Sequence, residues 1–223
     1  MSNVAIEASV WDLKGTRPYY SLNENLSLLP KKVAPIVEMK YPKSKDPKPV
    51  YFLLLKLYKM SDNSVISRNF YWLHLSGGDY KLLEPYREKK IPLKITSKVS
   101  IEESIYNIQM HVTNSSEIPE SRSSTVRPSD GFYGTHGLKV TEINGSDVGV
   151  AFFLQISVYT SKKDYKEGED TRILPVHYSD YFSLVPGETM PVNISFEAPQ
   201  GVTPRVILHG WNYDGGELIY EVV

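Results

Sequence analysis

The sequence predicts an all-β fold with two consecutive immunoglobulin-like β-sandwiches, the first of which lacks its opening strands. Apolar residues recur at every second position, no helical pattern extends over ten or more residues, and 15 prolines and 14 glycines interrupt the strands. Period-two alternation indicates half-buried strands, and closely spaced turn residues are typical of antiparallel sandwiches. We therefore divide the chain into residues 1–83 and residues 84–223.

The first domain offers fewer strands than its fold requires. Strands are predicted at Val4–Trp11, Lys32–Met39, Pro49–Met60 and Val65–Leu73, and the third is apolar on both faces, as expected of a central strand. An immunoglobulin-like sandwich has about seven strands, and one that lacks strands exposes backbone donors and acceptors along an edge. We therefore expect another polypeptide to supply the missing strands, and the chain to be a C-terminal portion of a longer protein.

The second domain shows a fuller set of alternating strands after a break at Ser76–Pro92. The clearest strand places one row of apolar side chains on a single face: Val148, Val150, Phe152, Leu154, Ile156 and Val158. Further strands are predicted at Ile105–Val112, Pro191–Ala198, Leu93–Val99, Arg172–Val176, Thr203–Trp211 and Glu217–Val222. The polar segment 115–137 is rich in Ser, Pro and Arg, which predicts a mobile loop.

Composition and charge exclude several classes of protein. The 25 basic and 26 acidic residues leave a net charge of −1, so no basic face for nucleic acid is indicated. No apolar run approaches the length of a membrane span, and the first residues do not resemble a secretory signal. The chain has no cysteine, which excludes disulfides, thiol nucleophiles and cysteine-ligated metals. We expect a cytoplasmic protein or a piece whose targeting segment lies elsewhere.

Four motifs in order carry a family resemblance. SRNFYWLHL (Ser67–Leu75) resembles the end of the immunoglobulin-like domain that follows the barrel in glycoside hydrolase family 2 mannosidases and exo-glucosaminidases. VAFFLQISV, RILPVHYSDYFSLVPGE and PRVILHGWN resemble the last immunoglobulin-like domain of the same group. The resemblance covers nearly the whole chain. It implies a multidomain retaining hydrolase that acts on β-mannosyl linkages of N-glycans, with its chemistry in an upstream (β/α)₈ barrel. An N-glycan substrate in turn implies a vacuole or another endomembrane compartment.

No catalytic residue, metal site or cofactor is expected on this chain. Retaining glycosidases need two carboxylates about 5–5.5 Å apart, and a (β/α)₈ barrel needs about 250 residues. The Asn23-Glu24 pair mimics the family's acid/base motif but has no barrel strand around it, and Glu102-Glu103 lies at a predicted turn. His177, Ser179 and Asp180 are sequence neighbours without a glycine elbow, so they do not suggest a nucleophilic triad. The five histidines show no metal-ligand spacing.

The remaining residues of interest are surface candidates. We expect contacts with a partner, or with the rim of a neighbouring active site, from seven residues: Trp11, Tyr71, His74, His177, Tyr178, Asp180 and Tyr181. Four Asn-x-Ser sequons are candidates for N-glycosylation: Asn25, Asn114, Asn144 and Asn193. Trp72 and Trp211 lie within strand patterns, which favours core or interdomain packing. His209 alternates with apolar residues, which favours a partly buried histidine with a hydrogen-bond partner.

Three functions are compatible with these observations. The first is a non-catalytic C-terminal subunit or fragment of a hydrolase, with the barrel-bearing and N-terminal parts of the same enzyme as partners, either as a heteromer or within a precursor. It would meet the N-glycan substrate only through that complex. The second is a free-standing carbohydrate-binding module. The third is an adhesion-type sandwich protein, which would bind no glycan and have no barrel-containing partner.

Overall fold

The chain, as a computed structural model, divides into two compact units that are each built from antiparallel strands. The structure describes residues 2–75, 77–117, 139–143, 145–160, 172–173, 181–199, 204–213 and 216–219. The described residues of the first unit lie within Met1–Arg87, and those of the second lie from Glu88 onward. The described elements are thirteen strands and one helix of four residues. The all-β fold predicted from the sequence is therefore confirmed.

The first unit contains a single four-stranded sheet among its described residues. The strands are β1 (Val4–Asp12), β2 (Tyr19–Leu26), β3 (Val50–Lys59) and β4 (Val65–His74), in the order β2-β1-β3-β4. All neighbours are antiparallel. The short helix α1 (Leu83–Tyr86) follows the sheet. An immunoglobulin-like sandwich has two sheets, so the described part of this unit supplies one of its two layers.

The central position predicted for β3 is confirmed. Its first half is buried on both faces because successive residues of a strand point in opposite directions. Leu53 and its pair Val10 on β1 form a cluster with Tyr51 on one face. On the other face the ring of Phe52 lies 5.6 Å from Phe70 and 6.0 Å from Tyr86 of α1.

Two strand assignments in the first unit were wrong. Residues 32–39 were predicted to be a strand, but they pair with no strand in the described part of the chain. A strand needs a partner for its backbone groups, and alternation in the sequence does not reveal whether one is present. Conversely, β2 was missed because its residues are half-buried or exposed throughout, as an edge strand with polar side chains allows.

The second unit forms two sheets around one core, as expected of a sandwich. One sheet has the order β10-β8-β12-β13, with β9 also pairing with β8, and the other has the order β11-β6-β5-β7. Their bounds are β5 Leu93–Glu102, β6 Ile105–Asn114, β7 Lys139–Ile143, β8 Ala151–Thr160, β9 Arg172–Ile173, β10 Phe182–Leu184, β11 Thr189–Glu197, β12 Pro204–His209 and β13 Gly216–Ile219. Leu154, Ile156 and Val158 meet Ile108, Ile194 and Phe196 in the same buried cluster.

Alternation predicted the buried faces of β6, β8 and β11 well but not every outward residue. Tyr106, Ile108, Met110 and Val112 of β6 are at most 3% exposed. Ser157 was predicted to face outward, yet it is 3% exposed. It lies on β8, which pairs with β12 at Ser157 and with β9 from Val158 on, so neighbouring strands flank β8 on both edges here. His209 was expected to be partly buried, but it is exposed on β12.

Candidate functional site

The described residues contain no cluster of three or more His, Asp or Glu that could hold a metal ion. Glu24, of the Asn-Glu pair that mimics an acid/base motif, is exposed on the edge strand β2, where the Asn23 amide donates to Ser21 Oγ at 3.2 Å. Glu102 and Glu103 are both exposed at the β5–β6 turn. A retaining hydrolase needs two facing carboxylates in a shielded cleft, and neither pair provides this arrangement.

The strand β4 presents aromatic residues at the edge of the first sheet. Tyr71 is 46% exposed and Trp72 is 39% exposed. As successive residues of one strand, they point to opposite faces of the sheet. Trp72 was expected in the core or in interdomain packing, and its exposure rules out the core; Trp211 is likewise 40% exposed, and interdomain packing stays a prediction for both. Edge strands with exposed rings are accessible both to sugars and to other polypeptides.

His74 is held in place at the end of β4. Its Nδ1 lies 2.7 Å from the Leu75 carbonyl oxygen, which can only accept, so Nδ1 carries the proton in this contact. When the ring is neutral, Nε2 is then the acceptor. The Tyr80 ring meets the imidazole edge-on at 4.7 Å, and its hydroxyl donates to the Trp72 carbonyl at 3.2 Å. Tyr80 therefore fixes both the histidine and the strand that carries it.

Trp11 does not occupy the exposed position that the sequence suggested. It is 2% exposed, and its Nε1 donates to Ser9 Oγ at 3.0 Å. The Arg17 guanidinium lies 5.5 Å from the Trp11 ring and 4.3 Å from the Tyr20 ring. A guanidinium near an aromatic face is attracted by the ring quadrupole. Trp11 is therefore a packed residue of the first unit rather than a surface contact.

Tyr181 is accessible, with 56% of its surface exposed, and it lies beside a distorted part of β8. The pairing of β8 with β10 shifts register between Phe182 and Leu184, and Phe153 has a φ of +54°. This conformation is uncommon for a bulky residue and is found at strained functional positions. The Phe153 ring lies 5.1 Å from Tyr181. Alternation in the sequence carries no signal for this bulge.

Three other rim candidates lie outside the described residues: His177, Tyr178 and Asp180. Most of the predicted loop 115–137 does so as well, as does the Asn144 sequon. Tyr71 and His74 belong to the first unit and Tyr181 to the second. The predicted rim therefore stays a prediction. Among its described residues, Tyr71 and Tyr181 are exposed and His74 is half-buried.

The asparagines of the three described sequons differ sharply in solvent exposure. Asn25 is exposed at the end of β2 with a φ of +56°, and Asn193 is exposed on β11. Asn114, by contrast, is 0% exposed. Its amide Nδ2 donates to the Gly149 carbonyl at 2.8 Å and to the Leu184 carbonyl at 2.9 Å. Because both amide hydrogens are used inside the fold, Asn114 has a structural role and is closed to glycosylation in the folded chain.

A second buried asparagine, Asn212, also bonds to backbone groups inside the second unit. Asn212 is 0% exposed, accepts from the Phe152 N–H at 2.8 Å and donates to the Val150 carbonyl at 2.9 Å. It therefore satisfies two backbone groups at the start of β8. No sequence pattern indicates this role, because the partners of Asn212 lie 60 and 62 residues away along the chain.

The first unit also contains an open cleft of about 500 Å³. Its lining includes three lysines and two aspartates: Lys14, Lys43, Lys45, Asp12 and Asp46. Asp12 accepts from two backbone amides and from Thr16 Oγ1, and Asp46 accepts from the Lys48 amide. These carboxylates therefore stabilise turns, and the arrangement shows no acid/base pair.

The chain is similar to parts of known glycoside hydrolases. Residues 119–213 match the model of the exo-β-D-glucosaminidase immunoglobulin-fold domain. The chain is 55% identical to the mannosylglycoprotein endo-β-mannosidase of Lilium longiflorum over 232 aligned residues, which cover 95% of this chain and 24% of that protein. The chain therefore spans about a quarter of the length of this relative.

Solved structures share the fold. The exo-chitosanase CsxA of Amycolatopsis orientalis superposes with a TM-score of 0.65 and 18% identity, over 99% of this chain and 24% of that chain. A structure of the exo-β-D-glucosaminidase CsxA gives a TM-score of 0.66 and 17% identity with the same coverage. At such identity the match establishes architecture, and function has to be argued from other evidence.

Proposed function

We propose that the chain is a non-catalytic, C-terminal part of a family 2 glycoside hydrolase, because residues 119–213 match the model of the exo-β-D-glucosaminidase immunoglobulin-fold domain. The proposed enzyme is an endo-β-mannosidase that cleaves β-mannosyl linkages in N-glycans. One observation carries this proposal: the chain is 55% identical to the Lilium longiflorum enzyme over 95% of its own length, while it spans only 24% of that enzyme.

The chemistry of the chain supports a non-catalytic role. Cleavage of a glycoside with retention needs a carboxylic acid and a carboxylate on either side of the bond. The acidic pairs singled out from the sequence lie on exposed strand and turn positions. A (β/α)₈ barrel needs alternating strands and helices, whereas the helix described here has four residues. The reacting groups therefore belong to a part of the enzyme outside this chain.

The partner of the chain, on this proposal, is the barrel-bearing and N-terminal part of the same hydrolase. The first unit supports this because its described strands make one sheet of a fold that has two. The association could persist between separate polypeptides or within one precursor. In either case the contribution of this chain is to stabilise the enzyme and to present β4 and Tyr181 to neighbouring parts.

Native mass measurement and an activity assay test the proposal together. The chain isolated from its source tissue should migrate with larger polypeptides that contain the barrel, and that assembly should cleave a β-mannosyl linkage of an N-glycopeptide. The purified chain alone should leave the same glycopeptide intact. Turnover by the chain after rigorous removal of contaminants, or a native mass of the chain alone, would contradict the proposal.

Glycan binding by the chain itself is a second candidate function, favoured by the exposed rings of Tyr71 and Trp72. Sugar rings stack on such side chains. Titration of the isolated chain with a mannosylated N-glycan tests this function, with Trp72→Ala as the variant and Tyr181→Ala, an exposed ring of the second unit, as its matched control. If Trp72→Ala abolishes binding and Tyr181→Ala does not, the glycan site lies on β4. If the parent chain does not bind the glycan, glycan binding is ruled out and the supporting role in the hydrolase is the remaining function.

A further inference from the structure

We propose that residues 32–39 are an acceptor strand of the first unit, and that a β-strand from the barrel-bearing part of the hydrolase pairs with it. This inference rests on the proposed function and adds to it the place of contact and the kind of partner. The incoming segment would be an extended, acidic stretch of polypeptide. Once paired, residues 32–39 and the incoming strand would together contribute to the second sheet of the sandwich.

The C-terminal end of the segment lies against one face of the sheet. Met39 packs against the buried cluster of Val10, Tyr51 and Leu53. Just after the segment, the Tyr41 ring lies 6.1 Å from the Tyr51 ring, and the Tyr51 hydroxyl donates to the Pro42 carbonyl at 2.9 Å. In a sandwich this layer is occupied by a sheet. The chain from Met39 onward therefore reaches the second layer, while residues 32–35 are exposed.

The backbone of the segment is extended but unpaired. No turn or bend interrupts residues 32–44. Within the described part of the chain, residues 32–40 take part in no backbone pairing or side-chain hydrogen bond. The sequence KVAPIVEM contains two valines and an isoleucine, which favour strands. Unpaired donors and acceptors in an extended segment are a template for the addition of a strand from another polypeptide.

The apolar side chains of this segment face solvent to an unusual degree. Val33 is 101% exposed, and Leu29, just before the segment, is 60% exposed. Burial of apolar surface stabilises an association by roughly 25 cal/mol per Å². An incoming strand would cover these residues and satisfy the backbone groups at the same time, which neither a sugar nor a small ion would do.

Charge argues for an acidic partner and against a second copy of this chain. The segment itself balances Lys32 against Glu38, but its flanks are basic: residues 30–49 carry in addition Lys31, Lys40, Lys43, Lys45 and Lys48 against Asp46, a net charge of +4, and Lys48 pairs with Asp79 at 3.4 Å. Two copies side by side would bring these flanking lysines together and repel each other, whereas an acidic strand would be attracted. Polypeptide is available for this role, because about three quarters of the Lilium longiflorum relative lies outside the matched region.

Hydrogen exchange of the backbone amides tests the pairing. The amides of residues 32–40 should exchange close to the unprotected rate in the isolated chain. In the hydrolase purified from its source tissue the amides that join the new ladder should exchange at least about 100-fold more slowly, because pairing has to open first. Equal exchange in both samples, with the chain assembled in the second, would overturn the acceptor strand but leave the proposed function intact.

Two further outcomes are informative. If the chain is not assembled with larger polypeptides at all, both the proposed function and the acceptor strand are contradicted. If the amides become protected in the isolated chain together with a doubled native mass, the partner is a second copy, and the proposal of an acidic strand is wrong.

Proline substitutions locate the paired edge. Adjacent amides of a strand point to opposite edges, so Ile36→Pro and Val37→Pro each remove a donor from a different edge. Co-expression with the rest of the hydrolase should give at least a tenfold lower assembled fraction for one of them, while Ile36→Thr and Val37→Thr assemble normally. Because the segment is unpaired in the chain alone, the proline variants should keep the thermal midpoint of the parent. Assembly unaffected by both prolines would refute the pairing.

Discussion

Asn114 shows how one buried side chain can connect the two sheets of the second unit. It ends β6, and its amide binds carbonyls of Gly149, just before β8, and of Leu184 on β10. Its Oδ1 accepts from the Ser116 amide at 3.1 Å and from the Ser116 hydroxyl at 2.7 Å. All four capacities of the amide are therefore used. Such a side chain is retained for the fold, although its sequence context is a glycosylation sequon.

Replacement of Asn114 by alanine should destabilise the second unit strongly. The substitution leaves two buried carbonyls and the Ser116 donors without their partner, for a loss of about 3 kcal/mol in the free energy of unfolding. Asn193→Ala, at an exposed position on β11, should change it by less than about 0.5 kcal/mol. Urea unfolding of both variants measures the difference. Equal midpoints would show that the Asn114 bonds do not support the fold.

Tyr106 should make the second unit sensitive to alkaline pH. Burial raises the pKa of its phenol above the ordinary value, so the unfolded chain loses this proton first. Stability is therefore complete below about pH 10 and falls as the pH rises from the unfolded pKa toward the folded one. Tyr106→Phe keeps the stacking on Phe196, whose ring lies 5.3 Å away, and removes the ionisation.

The thermal midpoints of the parent, Tyr106→Phe and Tyr181→Phe are measured at several pH values between 9 and 11 and compared. The parent should lose more stability over this range than Tyr106→Phe. Tyr181→Phe, at an exposed position, serves as the control and should follow the parent. The same decline in all three proteins would mean that Tyr106 does not control the alkaline transition.

Single residues were predictable where the strand pattern alone decides burial. The inward rows of β6 and β11 follow from alternation, since only one face of each strand meets the core. Trp11 was expected at the surface but is packed, and Trp72 was expected in the core or in interdomain packing but is 39% exposed. Alternation indicates that two residues share a face, but the structure of other segments decides which face is covered.

At the scale of the element, the composition of the corner between β10 and β11 favours a turn. Its sequence is VPGE, and the Glu188 amide donates to the Val185 carbonyl at 3.0 Å. Gly187 has a φ of +74°, and its amide donates to the Asn114 carbonyl at 3.0 Å. Proline fixes one φ and glycine accepts the positive one. Local chemistry therefore indicates the turn itself, whereas its bonds to the distant Asn114 depend on the fold.

Gly187→Ala should weaken this corner. An alanine in the left-handed region costs about 1 kcal/mol relative to glycine. Gly187→Asn should cost less, because asparagine tolerates this conformation. Urea unfolding of the two variants and the parent compares their free energies of unfolding. A larger loss for asparagine than for alanine would show that space, and not backbone conformation, limits this position.

Elements that depend on distant partners were harder to predict. Residues 32–39 have the composition of a strand but no partner in the described chain, and β2 has an unremarkable composition but a partner in β1. The candidate site shows the same limit. Tyr71, His74 and Tyr181 were found from their motifs, whereas the bulge at Phe153 depends on pairing between β8 and β10. Which strands pair is decided by the folded molecule, so it cannot be predicted from the composition of one segment.

At the scale of the whole molecule, the two units differ in how much core each supplies for itself. The second unit joins two sheets around a continuous buried cluster. The described strands of the first unit make one sheet, whose edge strand β4 exposes Val65, Ile66, Tyr71 and Trp72. Small single-sheet units bury too little surface to offset the loss of chain entropy, and apolar edges promote aggregation.

The units should therefore differ when they are produced separately. Residues 88–223 alone should give a soluble protein with dispersed amide resonances and one cooperative unfolding transition, because the core is contained within them. Residues 1–87 alone should be aggregated or disordered, since their described strands form one sheet of a fold that has two. The full chain serves as the control. Dispersed resonances from a soluble, monomeric 1–87 would contradict the need for strands from outside, and an unfolded 88–223 would contradict the division into units.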